Sequence, residues 1–146
     1  MPYKILLLNG PNLNMLGIRE PEIYGGTTLE LIEKDLLTYV EGQGVSLDFF
    51  QSNHEGELID RIHSAFGNVD IIIINAGAFT HYSIAIHDAL KAVAIPTIEV
   101  HMTNIYKRED YRYKSFIAPI AIGGIYGFGK NSYRLAIDAA IDYLRN

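Results

Sequence analysis

Glu99 and His101 stand two residues apart at the end of an apolar run, Thr97–His101. In a strand, that spacing sends both side chains off one face. A carboxylate beside an imidazole orients the ring and favours its protonated form, which a general acid requires. A hydrogen-bonded core pair is the structural alternative for the same two residues. Near the N-terminus, Leu8–Gly25 carries Asn9, Asn12, Asn14, Arg19 and Tyr24 with no helical or strand period. A loop that long inside a compact domain is usually functional or disordered. Leu13, Met15, Leu16, Ile18 and Ile23 are apolar enough to dock it. We read it as a lid-like loop that aims amide and cationic groups into a cleft. Tyrosine titrates near 10 and is a poor base at neutral pH unless cations stabilise its phenolate. Bringing it down toward neutrality takes roughly 3–4 kcal/mol, within the reach of two close guanidinium groups in a water-poor cleft; Arg19 and Arg108 are the candidates. The chain has no cysteine and no serine in a nucleophile elbow. A tyrosine with arginine neighbours, a Glu-supported histidine and amide donors suit proton abstraction next to a carbonyl, with His101 donating to a leaving group.

The elements that must position these groups alternate along the chain. Ile5–Asn9 reads as a buried strand. Thr27–Val40 reads as a helix, with Thr27 and Glu30 as a capping box and Leu29, Ile32, Leu36 and Val40 on one face. Leu47–Gln51 is a second strand, and Glu57–Phe66 a helix closed by Gly67. Asp70–Asn75 (DIIIIN) is apolar enough to be buried on both faces. Phe79–Val93 follows the helical period through Tyr82, Ala85, Ile86, Ala89, Leu90 and Val93. Thr97–His101 is a fourth strand, Asn104–Ser115 a polar, aromatic segment, Ile120–Ile122 the last strand and Ser132–Leu144 the closing helix. This alternation predicts an α/β, flavodoxin-like doubly wound sheet of five parallel strands with helices on both faces. Ligands are expected beyond the carboxyl ends of the strands. Asn9, Asn12, Arg19, Tyr24, Asn75, Thr80, His81, Glu99, His101 and Thr103 all fall on that edge, the default place for an active site.

Composition excludes several classes. The 146 residues suit one domain, 1–146, and the 49% hydrophobic content is globular. A net charge of −5 argues against a nucleic-acid or membrane-surface partner, because no basic stripe offsets phosphates. The apolar start is too short for a signal peptide or a membrane span, so a cytoplasmic location is expected. His54 and His63 read as solvated, and His87, beside Asp88, as an ordinary helix-surface residue. A metal site from Glu99, His101 and His81 matches no known ligand spacing. Gly124–Lys130 (GIYGFGK) nearly matches a phosphate-binding loop, but Asn131 stands where a magnesium-holding Ser or Thr belongs. No later strand follows it, and a glycine-rich turn is preferred. Arg108 and Arg112, four apart, share a face if helical. They form either a solvated face beside Glu109 and Asp110 or a clamp for an anionic, hydroxylated substrate.

The ordered blocks LNGPNLNMLGIREPEIYG, TTLELI, QSNHEGELID, INAGAFTHYSIAIHDAL, EVHMTNIYKREDYR and GFGKNSYRLAI together resemble type II 3-dehydroquinate dehydratases over nearly the full length. The resemblance implies elimination of water from 3-dehydroquinate to give 3-dehydroshikimate through an enolate, with no metal, no cofactor and no Schiff base. By position, it implies Tyr24 as the base that removes the C2 proton and Arg19 as its activator. It implies His101, backed by Glu99, as the acid for the C1 hydroxyl, and Asn12 as the residue that positions a water near the enolate oxygen. Asn75, His81 and Arg112 are implied to bind substrate hydroxyls, Met102 and Thr103 the carboxylate, and Arg108 to sit near the base. His81 and Asp88, seven residues apart, share a helix face in this reading but lie roughly 10 Å apart along its axis. The family resolves this with trimers in which Asp88 reaches into a neighbour's site, and four trimers make a dodecamer. Thr103 stands where Ser is frequent, and Tyr106, Tyr113 and Lys114 where His is common. The competing class is a flavodoxin-like module that binds phosphate or a nucleotide without catalysis and has no use for Tyr24 or His101.

Overall fold

The computed structural model describes residues 2–18, 22 and 26–146. Five strands form one all-parallel sheet: β1 (Tyr3–Asn9), β2 (Val45–Gln51), β3 (Ile71–Asn75), β4 (Thr97–His101) and β5 (Gly123–Tyr126). Their spatial order is β2-β1-β3-β4-β5, the flavodoxin-like doubly wound arrangement. The described α-helices are α1 (Leu29–Tyr39), α2 (Glu55–Ala65), α3 (Ile84–Val93) and α4 (Asn131–Arg145). None is long and apolar enough to cross a membrane.

Alternation along the strands builds two cores. Ile5, Leu7, Ile71, Ile73, Ile98 and Val100 pack against Leu36 of α1 and Tyr133, Ile137 and Ala140 of α4. Leu6, Leu8, Ile72 and Ile74 pack on the other face against Leu58 and Ile62 of α2 and Ile86 and Leu90 of α3. The four isoleucines of β3 are at most 1% exposed. Each such side chain contributes about 1.5–3 kcal/mol by leaving water, which is why the central strand is apolar on both faces.

β1, β2 and α2 begin two residues earlier than expected, and three further differences from the sequence expectations have a visible cause. The first helix is capped by Thr28, whose hydroxyl accepts from the Leu31 amide, one residue beyond the expected Thr27. The expected helix Phe79–Val93 is split into a 3-10 turn, Gly77–His81, and α3. Ser83 ends the turn and caps α3 by accepting from Ile86 N–H, while its hydroxyl donates to Glu55 of α2 at 2.5 Å. A side chain committed at both ends holds that break. The last strand lies at Gly123–Tyr126, not Ile120–Ile122. Ala118–Ile120 is a 3-10 turn containing Pro119, and pairing with β4 begins at Ile98↔Gly123.

The tips of β1 and β3 are drawn together by close backbone contact. Gly10 N–H donates to Asn75 O at 2.7 Å. A Cβ on Gly10 would lie 2.3 Å from the Ala76 carbonyl oxygen, so no side chain fits there. Gly77 has φ of 60°, a conformation glycine adopts without strain. With Asn9 in register with Asn75, this places the polar ends of both strands side by side.

Candidate active site

At the carboxyl end of β4, alternation puts Thr97, Glu99 and His101 on the α2/α3 face of the sheet. Both members of the Glu99–His101 pair are 6% exposed. His101 Nε2–H donates to Glu99 Oε2 at 2.6 Å, which leaves Nδ1 as the nitrogen turned away from the carboxylate. The same Oε2 also accepts from the Ser115 hydroxyl at 2.8 Å. His81 lies over His101, with ring centroids 6.2 Å apart and planes 19° from parallel. Its Nδ1–H donates to the Lys114 carbonyl at 2.8 Å, so Nε2 is the acceptor. Burial lowers the pKa of His81; the Lys114 bond opposes that, and the nearby His101 and Arg112 charges lower it further. His81 is therefore a neutral acceptor at neutral pH.

On the other face, Asn75 Nδ2 donates to the Tyr133 hydroxyl at 2.9 Å, and that hydroxyl donates to Asn9 Oδ1 at 2.6 Å. Gly77 N–H donates to Asn75 Oδ1 at 3.2 Å. The buried phenol from α4 thus fixes the Asn75 amide at the sheet edge. Asn12 begins the Leu13–Met15 turn in the left-handed region, φ 70°, with its N–H on Asn53 Oδ1 at 3.0 Å. Leu13 and Leu16 dock the loop into the core, as expected, while Met15 and Ile18 are exposed.

These pieces enclose a cavity of about 140 Å³ whose lining includes Asn12, Asn75, His101, Thr103, Arg108 and Arg112. Met102 also lines it. A larger groove of about 790 Å³ follows the β5 edge, but Asp142 is the one charged residue lining it, so the chemistry belongs to the smaller, more polar cavity. Arg108 and Arg112 do not share one helical turn. Arg108 is extended (φ −100°, ψ −160°) between two 3-10 turns, yet both arginines reach the cavity. Arg112 Nε–H donates to Glu109 Oε1 at 2.8 Å, and this bond is the main cause holding the Glu109 carboxyl down to about 2. The helix break at Ser83 removes the common helix expected for His81 and Asp88. Asp88 is exposed on α3, and His81, on a separate turn, is not among the residues lining the cavity but stacks on His101, which is. Arg19, Tyr24 and Ile23 lie outside the described residues. Among the described residues, no group of three or more His, Asp or Glu side chains is placed to hold a metal ion.

Two contributors escaped the sequence reading, Ser115 and Tyr133, and a third, His87, expected to be an ordinary helix-surface residue, instead donates its Nδ1–H to the Phe116 carbonyl at 2.8 Å. Ser115 carries one local signal, since its hydroxyl accepts from Ile117 N–H and Ala118 N–H, a common serine turn. Its partner sixteen residues earlier has no local signature.

A doubly wound α/β sheet that carries a buried carboxylate–imidazole pair beside an arginine- and amide-lined cavity defines a small acid–base enzyme of the flavodoxin-like class. The model of the family described as dehydroquinase class II matches residues 3–141, and the chain belongs to that family. It is 61% identical to a 3-dehydroquinate dehydratase of Carboxydothermus hydrogenoformans, over 97% of this chain and 92% of that one. It is 56% identical to the 3-dehydroquinate dehydratase of Prochlorococcus marinus, covering 97% of each. The crystal structure of the type II dehydroquinase from Butyrivibrio crossotus superposes with a TM-score of 0.92 at 46% identity, covering 94% of this chain and 97% of that one.

Proposed function

We propose that this chain is a hydro-lyase that removes water from 3-dehydroquinate to give 3-dehydroshikimate, a step of the shikimate pathway toward aromatic amino acids. The observation that carries the reading is the buried Glu99–His101 pair, 2.6 Å apart, on a cavity that also holds Asn75, Arg108 and Arg112. In this reading Tyr24, as a phenolate held by Arg19, takes the C2 proton. The electrons left behind form an enolate, beside which Asn12 positions a water. His101 then gives its Nδ1 proton to the C1 hydroxyl, which leaves as water as the C1=C2 bond forms. Glu99 keeps the imidazole oriented and stabilises its charge. Asn75, the neutral His81 and Arg112 hold substrate hydroxyls, and Met102 and Thr103 hold the carboxylate. The family match and the 61% identity to a 3-dehydroquinate dehydratase support this over a phosphate-binding module, which gives the buried acid pair no role.

The test is direct. Added 3-dehydroquinate should yield the ultraviolet absorbance of a conjugated enone. The mechanism uses neither a metal nor a lysine adduct, so the rate should survive EDTA, and borohydride added with substrate should not inactivate the enzyme. Loss of activity under either treatment would overturn the enolate route.

We further propose that residues 1–146 form one cytoplasmic domain, assembled as trimers and then a dodecamer. Asp88 is exposed on α3 and meets no substrate group of its own chain in this reading. It reaches a neighbour's site instead. Asp88→Ala should raise KM or disturb the trimer while the fold persists by circular dichroism. Sedimentation of the wild type should give a mass far above the 16.3 kDa of one chain. A fully active monomer would contradict the cross-subunit role.

A further inference from the structure

We infer that Ser115 is a positioning residue of the acid pair, acting through Glu99; this rests on the reading of His101 as the acid. Three bonds converge on the Ser115 hydroxyl. It donates to Glu99 Oε2 at 2.8 Å, and it accepts from Ile117 N–H at 3.1 Å and Ala118 N–H at 3.0 Å. The two backbone donors use the lone pairs of the oxygen, so its proton points at the carboxylate. The oxygen it meets is the one that holds His101. A carboxylate beside one imidazole keeps torsional freedom about its terminal bond. A second donor on the same oxygen removes that freedom and, with it, sideways motion of the ring. A hydrogen bond to an ionised acceptor is about twice as strong as a neutral one, which suits a hydroxyl placed to hold a carboxylate in its charged form.

The surrounding chain explains how a loop residue holds this position. Next to Ser115, the Lys114 carbonyl takes the His81 Nδ1–H. Phe116 N–H donates to Thr80 O at 2.8 Å, and the Phe116 carbonyl accepts from His87 on α3. Ile117 is fully buried in the α2/α3 core. Residues 114–117 are thus a strap tied to the turn after β3, to α3 and to the core. From the strap, Ser115 reaches Glu99 while Lys114 sets the tautomer of His81.

The test is a double-mutant cycle on kcat, with Ser115→Ala, Glu99→Gln and the pair. Ser115→Ala alone should lower kcat about ten- to a hundred-fold, the size of a lost bond to a charged group, with KM changed less than about three-fold. Ser115→Thr keeps the hydroxyl and should restore most of the rate. In the Glu99→Gln background, Ser115→Ala should cost little more, because a residue acting through Glu99 has nothing left to act on. The proton on His101 Nε2, followed by NMR in histidine-labelled protein, should shift or broaden in Ser115→Ala at unchanged fold. An equal loss from Ser115→Ala in both backgrounds would overturn the inference and leave the acid assignment standing. A Glu99→Gln variant with wild-type kcat would overturn the acid pair itself. Should Ser115→Ala not fold, Ser115→Cys, with a weaker donor of similar size, takes its place in the cycle, and the same two outcomes decide.

Discussion

Tyr24→Phe is expected to all but abolish turnover while product-like ligands still bind. The substitution keeps the ring and removes the only oxygen that takes the C2 proton in the proposed mechanism. The companion variants test what makes that oxygen a base. A tyrosine with an ordinary pKa near 10 is almost wholly protonated at neutral pH. Removing the cation that holds the phenolate moves its titration toward that value. In Arg19→Ala the acidic limb of the kcat/KM–pH profile, which reports the free-enzyme base, should therefore move to higher pH. The residual rate should climb past the wild-type optimum. Arg19→Lys should rescue in part, because a flexible point charge replaces a planar fork. If the limb stays in place in Arg19→Ala, Arg19 clamps substrate and does not tune the base.

The second large effect belongs to His101. His101→Ala should lower kcat by about 10²–10⁴ with substrate binding largely kept, because Asn75, Thr103, Arg108 and Arg112 remain around the cavity. Glu99→Gln should cost less, since the imidazole survives and loses its charged partner. The buried position sharpens this: at 6% exposure no bulk water stands in for the missing carboxylate. A larger loss from Glu99→Gln than from His101→Ala would reverse the two roles. Steady-state kinetics of the two variants, with folding checked by thermal melting, decides it.

The site was only partly legible as sequence. Glu99 and His101 were readable as partners because period two in a strand is a local rule, and the pair is bonded as that rule implies. Arg108 and Arg112 were readable as candidates, but for the wrong reason: a helical spacing that the chain does not adopt there. They meet the same cavity because the segment between β4 and β5 folds back over the sheet edge. Ser115 was invisible as a partner of Glu99, sixteen positions earlier, since nothing in the chain between them announces a bond made by that fold-back.

The same division holds for the fold. Local pattern alone dictates the strand–helix alternation, the parallel sheet and the two apolar faces, because burial on both sides demands runs such as Ile71–Ile74 and helix faces such as Leu29, Ile32 and Leu36. Where β5 begins and where α3 breaks depend on contacts between distant parts of the chain. Ile120–Ile122 is as apolar as a strand, yet Ser115 and Phe116 tie the preceding chain to Glu99 and Thr80. The ladder register with β4 therefore begins at Ile98↔Gly123, with Ile122 N–H bonded to Thr97 O just before it. Phe79–Val93 keeps a helical period throughout, yet Ser83 spends its hydroxyl on Glu55 and on the Ile86 amide, and the turn before it is left free to lay His81 over His101. Local pattern sets which segments fold as helix or strand; bonds between distant residues set where those segments stop, and the candidate site is built at the stops.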